Sequence, residues 1–182
     1  AMSSAMEQSF NQLAASRAAL HLTNITVRLP SSVSWGYRHT FAGKALSKCS
    51  ARRLELHLPL LLTEHFQRLF SDALAHSLEH LTLRGWTVCF ERESDQTRFS
   101  EVSVDGSGFQ SLTRLHTVIL DCTNFDALLP ALASAPALTQ LTLLTDASHH
   151  PSDAAVKYLK ARNSLLAISM RERVNSSRAV VH

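Results

Sequence analysis

Apolar residues recur along this chain in a six-residue spacing that places them at positions 1, 4 and 6. The clearest copy is Leu78-Glu79-His80-Leu81-Thr82-Leu83. The other copies, the first two of them looser, are Leu22/Ile25/Val27, Ala51/Leu54/Leu56, Leu115/Val118/Leu120, Leu138/Leu141/Leu143 and Leu165/Ile168/Met170. Similarity repeated every roughly 20 to 30 residues is typical of stacked units, because one such unit cannot bury its apolar face alone.

Each copy predicts a β-strand, because positions 4 and 6 follow the period of two that puts side chains on one face. The copies start at residues 22, 51, 78, 115, 138 and 165, so successive starts differ by 29, 27, 37, 23 and 27 residues. The side chains at position 6 are therefore predicted to occupy equivalent buried places on consecutive parallel strands. These residues are Leu56, Leu83, Leu120, Leu143 and Met170.

The segments between the copies have helical spacing. The longest, residues 63–77, opens with Thr63 as a candidate N-cap. Its apolar stripe consists of Phe66, Leu69, Phe70, Ala73 and Leu74. A shorter stripe follows the cap candidate Ser152 and consists of Ala155, Val156 and Leu159. In residues 125–135 we predict a helix that starts at Pro130, since proline fits the first turn but damages a helix interior.

The repeat core resembles that of a known family. Residues Leu78 to Val88 match L-x-x-L-x-L-x-x-N-x-L at every apolar position, and Leu115 to Phe125 match it almost as well. Residues 127–138 are similar to the helical half of the longer, ribonuclease-inhibitor-like class of leucine-rich repeat. The resemblance covers roughly residues 20 to 174. It implies an α/β fold, a right-handed leucine-rich-repeat solenoid of about six strand–helix units, with the parallel sheet on the concave face and the helices on the convex face.

The ninth position of the repeat departs from that family, in which it is usually asparagine. Here the column reads Pro30, Pro59, Trp86, Thr123, Asp146 and Arg173. Thr123 and Asp146 can act as polar partners between turns, whereas proline and tryptophan cannot do so in the same way. We therefore expect an irregular and divergent array.

Three regions follow from this reading of the chain. Residues 1–19 hold a cloning remnant, with Ala1 before Met2, and an amphipathic helix that caps the first turn. Residues 20–174 form the repeat domain, and residues 175–182 are a tail, so the chain is a candidate fragment of a longer protein. The 37-residue interval contains an acidic insert at about residues 90–108, which is either a projecting β-hairpin or a disordered loop. Gly106-Ser107-Gly108 is expected to be a flexible joint.

Composition favours an intracellular protein, cytoplasmic, cytoskeletal or nuclear. Three cysteines without a C-x-x-C pair argue against a disulfide framework. No apolar run approaches the roughly 18 residues that span a membrane. His76 and His80 are four residues apart, but one is predicted at a helix end and the other on a strand, so we expect no metal site. No catalytic motif or phosphate-binding glycine loop occurs, and we predict no enzyme activity and no cofactor.

The strand residues that point away from the core carry the candidate site. The Arg/His part comprises Arg28, Arg53, His57, His80 and Arg84, which adjacent strands bring within three neighbouring turns. Arginine forks bind carboxylate and phosphate groups. Glu55 is expected to neutralise part of this cluster. Asp121 lies on the same predicted face, together with outward-facing Ile119, Leu144 and Leu166, and exposed aliphatic residues are typical of protein contacts.

The leading hypothesis is a non-enzymatic scaffold that binds another protein through the concave sheet face. The expected partner carries an acidic or phosphorylated segment. One alternative is a phosphate-, phospholipid- or nucleic-acid-binding module that uses the Arg/His cluster, although few aromatic residues are available to stack on bases. A second alternative is a regulatory or substrate-receptor subunit of an enzyme complex. Nothing in the sequence indicates an oligomeric state.

Overall fold

A computed structural model describes the chain at residues 8, 12, 23–28, 50–57, 70, 73–85, 90–92, 99–101 and 106–173. The strands are β1 (Asn24–Arg28), β2 (Arg53–His57), β3 (His80–Arg84), β4 (Phe90–Arg92), β5 (Phe99–Glu101), β6 (Thr117–Asp121), β7 (Gln140–Thr145) and β8 (Ala167–Glu172). The helices are α1 (Ala73–Ser77), α2 (Ser107–Gln110), α3 (Phe125–Leu132) and α4 (Asp153–Arg162).

The main sheet has six parallel strands in the order β1-β2-β3-β6-β7-β8. The paired residues fall at the same position of each copy, so that Leu56, Leu83, Leu120, Leu143 and Met170 form one row across the sheet. The predicted α/β class and the parallel strands are therefore confirmed.

A repeated backbone arrangement joins each strand to the next at its amino end. The carbonyl oxygen of Thr23 accepts hydrogen bonds from the N–H groups of Arg52 and Arg53, at 3.1 and 2.9 Å. The same two-donor arrangement is made by Glu79 and His80 to Arg52, by His116 and Thr117 to Glu79, and by Thr139 and Gln140 to His116. This arrangement fixes the strand register and aligns the first residues of the strands in a row.

The core lies between the sheet and the helices. Leu54, Leu81, Val118 and Leu141, at position 4 of their copies, are almost completely buried, as are the position-6 leucines. Two aromatic rings, Phe70 and Phe109, stack behind the sheet with their centroids 5.5 Å apart. Burial of alternate strand residues is the result expected when one face of a sheet meets helices and the other meets water.

Helix α3 starts earlier than its proline indicates. Its N-cap is Asn124, whose side-chain oxygen accepts a hydrogen bond from the N–H of Ala127 at 3.2 Å. Pro130 therefore lies inside the helix, and the predicted start at this residue is wrong. Proline has no N–H to donate to the carbonyl four residues back, that of Asp126, which is an exposed residue. Capping at Asn124 stabilises the first turn.

Helix α4 follows the predicted stripe. The Ser152 hydroxyl caps it by accepting from the N–H of Ala155 at 3.2 Å, and Ala155 and Leu159 are buried. The N–H of Ser152 donates to the Asp126 carboxylate at 2.8 Å, which ties the start of α4 to α3.

The last copy departs from the predicted frame. Met170 is 52% exposed and Leu165 is 84% exposed, whereas Leu166 is buried. In the turn before β8 the N–H of Leu166 donates to the carbonyl of Asn163 at 3.2 Å. The side chain that points into the core is therefore Leu166, one residue later in the chain than the predicted Leu165. The predicted burial of Met170 and outward position of Leu166 are therefore wrong. Within the described residues no helix follows β8 to cover Met170.

The insert contains a β-hairpin pairing, in which β4 and β5 run antiparallel with Phe90 opposite Glu101. The end of the insert belongs to the fold, because Gly108 is buried within α2. A Cβ at Gly106 would collide with Ser134, and it would lie 3.2 Å from the carbonyl oxygen of Ala131. Gly106-Ser107-Gly108 is thus a packed helix start, and the expected flexible joint is wrong.

Several predictions lie outside the described residues. These are most of the N-terminal helix, the tail, most of residues 63–72, the turn of the insert and the ninth-position residues Pro30, Pro59 and Trp86. Among the helices that are described, none is long and apolar enough to cross a membrane.

Candidate partner-binding surface

Alternate strand residues form one solvent-accessible side of the main sheet, here called the exposed sheet face. From β1 to β8 it consists of Asn24, Thr26, Arg28, Arg53, Glu55, His57, His80, Thr82, Arg84, Thr117, Ile119, Asp121, Gln140, Thr142, Leu144, Ala167, Ser169 and Arg171. All eight residues proposed from the sequence lie on this face. Its two ends differ in how their charges are compensated.

The amino ends of the strands form an open, uncompensated row. Arg53 pairs in register with Asn24 on one side and His80 on the other, and His80 pairs with Thr117. A depression of about 440 Å³ lies over this row and is also lined by Thr82. Within the described part of the chain, no carboxylate forms an ion pair with the exposed guanidinium of Arg53. A charged donor group is therefore available to a ligand in this depression.

His80 contributes to this row as a neutral ring. Burial, followed by the nearby Arg53 charge, holds the pKa of His80 below its ordinary value. At neutral pH the imidazole therefore carries one donor and one acceptor nitrogen and no net charge.

Arg52 lies beside Arg53 in sequence but is already paired. Its Nη2 lies 2.9 Å from Glu79 Oε2, and Arg114 Nη2 contacts the other oxygen of Glu79 at 3.2 Å. The hydrogen bond from Arg52 lowers the pKa of Glu79, which therefore stays ionised well below neutral pH. A second depression of about 270 Å³ is lined both by this pair and by the open row, and it shares Asn24, Arg53 and His80 with the first.

The carboxyl ends of β2, β3 and β6 are internally compensated, whereas Arg28, at the carboxyl end of β1, makes no ion pair among the described residues. Glu55 Oε1 lies 2.8 Å from His57 Nε2 and 3.0 Å from Arg84 Nε. Arg84 also reaches Asp121, at 4.0 Å. The expected neutralisation by Glu55 is thus present, and it involves His57 and Arg84 rather than Arg53.

The compensated region continues to the last strand through Arg173. Its Nη1 donates to Asp146 at 2.7 Å, and its Nη2 donates to the carbonyl of Cys122 at 3.3 Å. Its Nε lies 2.7 Å from Asp121 Oδ1, an ion-pair contact whose angle is too poor for a hydrogen bond. We call Glu55, His57, Arg84, Asp121, Asp146 and Arg173 the carboxyl-end network.

Asp146 has a double role in this network. It accepts hydrogen bonds from the N–H groups of Ser148 and His149 within its own turn, and these contacts lower its pKa, with Ser148 as the largest cause. It also accepts a hydrogen bond from Arg173, which follows β8. Two residues of the ninth-position column, Asp146 and Arg173, are therefore joined by an ion pair. The repeat frame placed Asp146 and Arg173 in one column, and this column was the signal for their contact.

The far side of the exposed sheet face is more apolar. Ile119 on β6 and Leu144 on β7 are partly exposed there, as the alternation predicted. Thr142 and Ser169 hydroxyls lie 3.0 Å apart on the neighbouring strands. The face therefore changes from an unpaired arginine at β2 to aliphatic side chains at β6 and β7.

Two other kinds of group are less suited to ligand chemistry. Burial raises the pKa of the Cys122 thiol to about 12, so this cysteine stays protonated at neutral pH and is sealed in the core. In the residues for which the structure gives positions, no three histidine, cysteine, aspartate or glutamate side chains are grouped so as to hold a metal ion.

Compared with known proteins, the chain matches no protein-family model, and no curated protein or solved structure is significantly similar to it. The likeness to leucine-rich repeats therefore rests on the spacing of the chain's own residues.

Proposed function

We propose that this chain is a non-enzymatic interaction module that binds another protein through its exposed sheet face. It is a divergent leucine-rich-repeat solenoid in which that face is the concave side. The repeated amino-end backbone arrangement supports this reading, since the same contacts recur at intervals of 29, 27, 37 and 23 residues between Thr23, Arg52, Glu79, His116 and Thr139. Stacked repeats of this type use their extended concave surface for binding.

The observation that carries the proposal is the exposed Arg53, which makes no ion pair with any residue that the structure describes. Arg52, Arg84, Arg114 and Arg173 all contact carboxylates of this chain. Arg53 makes no ion pair among the described residues, and Glu55, which lines the same depression, contacts His57 and Arg84 instead. An arginine that is not compensated internally attracts acidic or phosphorylated groups and speeds their encounter at low salt. The aliphatic side chains of Ile119 and Leu144 add apolar area to the same contact.

Replacing Arg53 by glutamate tests this surface. The tagged intact chain is used to capture proteins from its source cell, in wild-type form and as Arg53→Glu. The matched control is Lys157→Glu, the same charge change on the exposed side of α4, behind the sheet. We expect a set of captured proteins to be lost with Arg53→Glu and kept with Lys157→Glu. We also expect the wild type to capture this set more strongly as the salt concentration is lowered, because screening of the attraction decreases.

Stability is measured in parallel, because a folding defect would also remove partners. Arg53 is exposed and makes no ion pair among the described residues, so its substitution should change the free energy of unfolding by no more than about 0.5 kcal/mol. Arg84 is not a clean choice, since a carboxylate there would face Glu55 and Asp121. Equal capture by the two charge-reversal variants would contradict the proposal.

A further inference from the structure

We infer that the segment bound at the exposed sheet face is extended and carries a phosphorylated serine or threonine at Arg53, with an apolar side chain four residues away at Ile119. This inference rests on the proposed function and adds the chemistry and spacing of the partner. It follows from three properties of the face: the donors around Arg53, the position of Glu55, and the separation of Arg53 from Ile119.

The donors around Arg53 suit a phosphate monoester. The guanidinium offers five N–H donors in a planar fork. Asn24 and His80 are its register neighbours, and Thr82 and Thr117 line the same depression with hydroxyl groups. A phosphate has three terminal oxygens and a charge of about −1.5 to −2 near neutral pH, whereas a carboxylate has two oxygens and one charge. The larger acceptor therefore satisfies more of these groups.

Glu55 limits where the phosphate can lie. It belongs to the same strand as Arg53 and lines the depression, two residues towards the carboxyl end. Its Oε1 contacts His57 and Arg84, at 2.8 and 3.0 Å, but the carboxylate still repels a second anion placed beside it. A phosphate is therefore favoured at the amino end of the strands, next to Arg53 and His80.

The separation of Arg53 and Ile119 sets the spacing. The register places Ile119 two strands from Arg53, and two residues further along its strand. With strands about 4.8 Å apart and a rise of about 3.3 Å per residue, the diagonal between them is about 12 Å. An extended segment covers this in about four residues, and an even number keeps both side chains on the side that faces the sheet.

Fluorescence anisotropy with short labelled peptides tests the inference on the intact chain. One peptide carries phosphothreonine with leucine four residues later, and a second has the leucine four residues earlier, because the contacts on the face have no chain direction. Companion peptides carry threonine or aspartate in place of phosphothreonine, alanine in place of leucine, or leucine moved to two residues away. The protein variants are Arg53→Gln, Ile119→Thr and Lys157→Gln.

We expect at least one of the two phosphorylated leucine peptides to bind about tenfold more tightly than its threonine and aspartate companions. Arg53→Gln should remove this difference, and Lys157→Gln should leave it unchanged. Replacing the peptide leucine by alanine, or moving it, should weaken binding to the wild-type protein about threefold or more. The same peptide changes should have little effect on binding to Ile119→Thr, because this variant has already lost the contact between the leucine and Ile119.

Three results would overturn the inference. Aspartate peptides that bind as tightly as phosphorylated ones would show that a carboxylate is the natural ligand. Indifference to the leucine position would exclude the four-residue spacing. Absence of binding by every peptide, while cellular capture still depends on Arg53, would reject this partner class and leave the proposed function standing. Capture that does not depend on Arg53 would instead reject the proposed function itself.

Discussion

Glu79 shows how one residue joins the segments that precede β2, β3 and β6. Its carboxylate contacts Arg52, before β2, at 2.9 Å and Arg114, before β6, at 3.2 Å. Its backbone carbonyl accepts from His116 and Thr117, and its N–H donates to the carbonyl of Arg52. Of the two neighbouring arginines, Glu79 therefore compensates the charge of Arg52 and not that of Arg53.

The pKa of Glu79 gives this residue a pH-dependent contribution to stability. The pKa is lowered in the folded chain, first by the hydrogen bond from Arg52, so the contribution is present above the unfolded value of about 4 and is lost as pH falls through the folded value. Glu79→Gln should therefore be less stable than the wild type at pH 7, and the difference should shrink at lower pH. Urea unfolding of both proteins at several pH values measures it.

The control for this experiment is Glu172→Gln on β8, where the carboxylate is exposed and has no salt-bridge partner among the described residues. It should match the wild type at pH 7. A difference between Glu79→Gln and the wild type that stays constant down to pH 3 would show that the amide disturbs packing and that the ion pairs contribute nothing.

At the scale of single elements, the sequence predicted strands better than helix ends. The strands follow from a period of two. The leucines at position 6 of their copies, Leu56, Leu83, Leu120 and Leu143, are all buried as expected. The start of α3 was missed because its cap, Asn124, lies outside the apolar stripe, and its side-chain bond stabilises the first turn ahead of the proline. The burial of Met170 was predicted wrongly because burial depends on which elements cover the strand, and the spacing of apolar residues does not indicate this.

Leu120 and Met170 allow the effect of this covering on stability to be measured. They occupy the same position of their copies, but Leu120 is fully buried and Met170 is 52% exposed. Leu120→Ala should cost about 2 to 5 kcal/mol through the cavity it leaves. Met170→Ala should change the free energy of unfolding by no more than about 0.5 kcal/mol, because little buried contact is lost. Equal losses in urea unfolding would mean that β8 is covered as completely as β6.

At the scale of the whole molecule, the described residues of the exposed sheet face include a compensated region, the carboxyl-end network, and an open region around Arg53. The sequence predicted which side chains share the exposed sheet face, because strand alternation and repeat spacing determine that. It did not predict which arginines of this face would make no ion pair among the described residues, namely Arg28, Arg53 and Arg171. That depends on which side chains reach Glu55 and Asp121, and Arg173 joins them from outside the predicted cluster. Of the five basic residues of the candidate site, Arg53 and His80 line the depression at the amino ends of the strands, whereas Arg28 lies at the opposite end of β1.

The most direct test is photo-crosslinking from each side of the fold. A photoreactive phenylalanine analogue replaces Gln140, which is exposed on the sheet face near Ile119, or Lys157, which is exposed on α4. Each protein is irradiated with the cell fraction from which the wild type captures partners, with and without Arg53→Glu. We predict partner crosslinks from position 140 that disappear with Arg53→Glu, and none from position 157. Crosslinks from position 157 alone, indifferent to Arg53, would contradict binding through the sheet face.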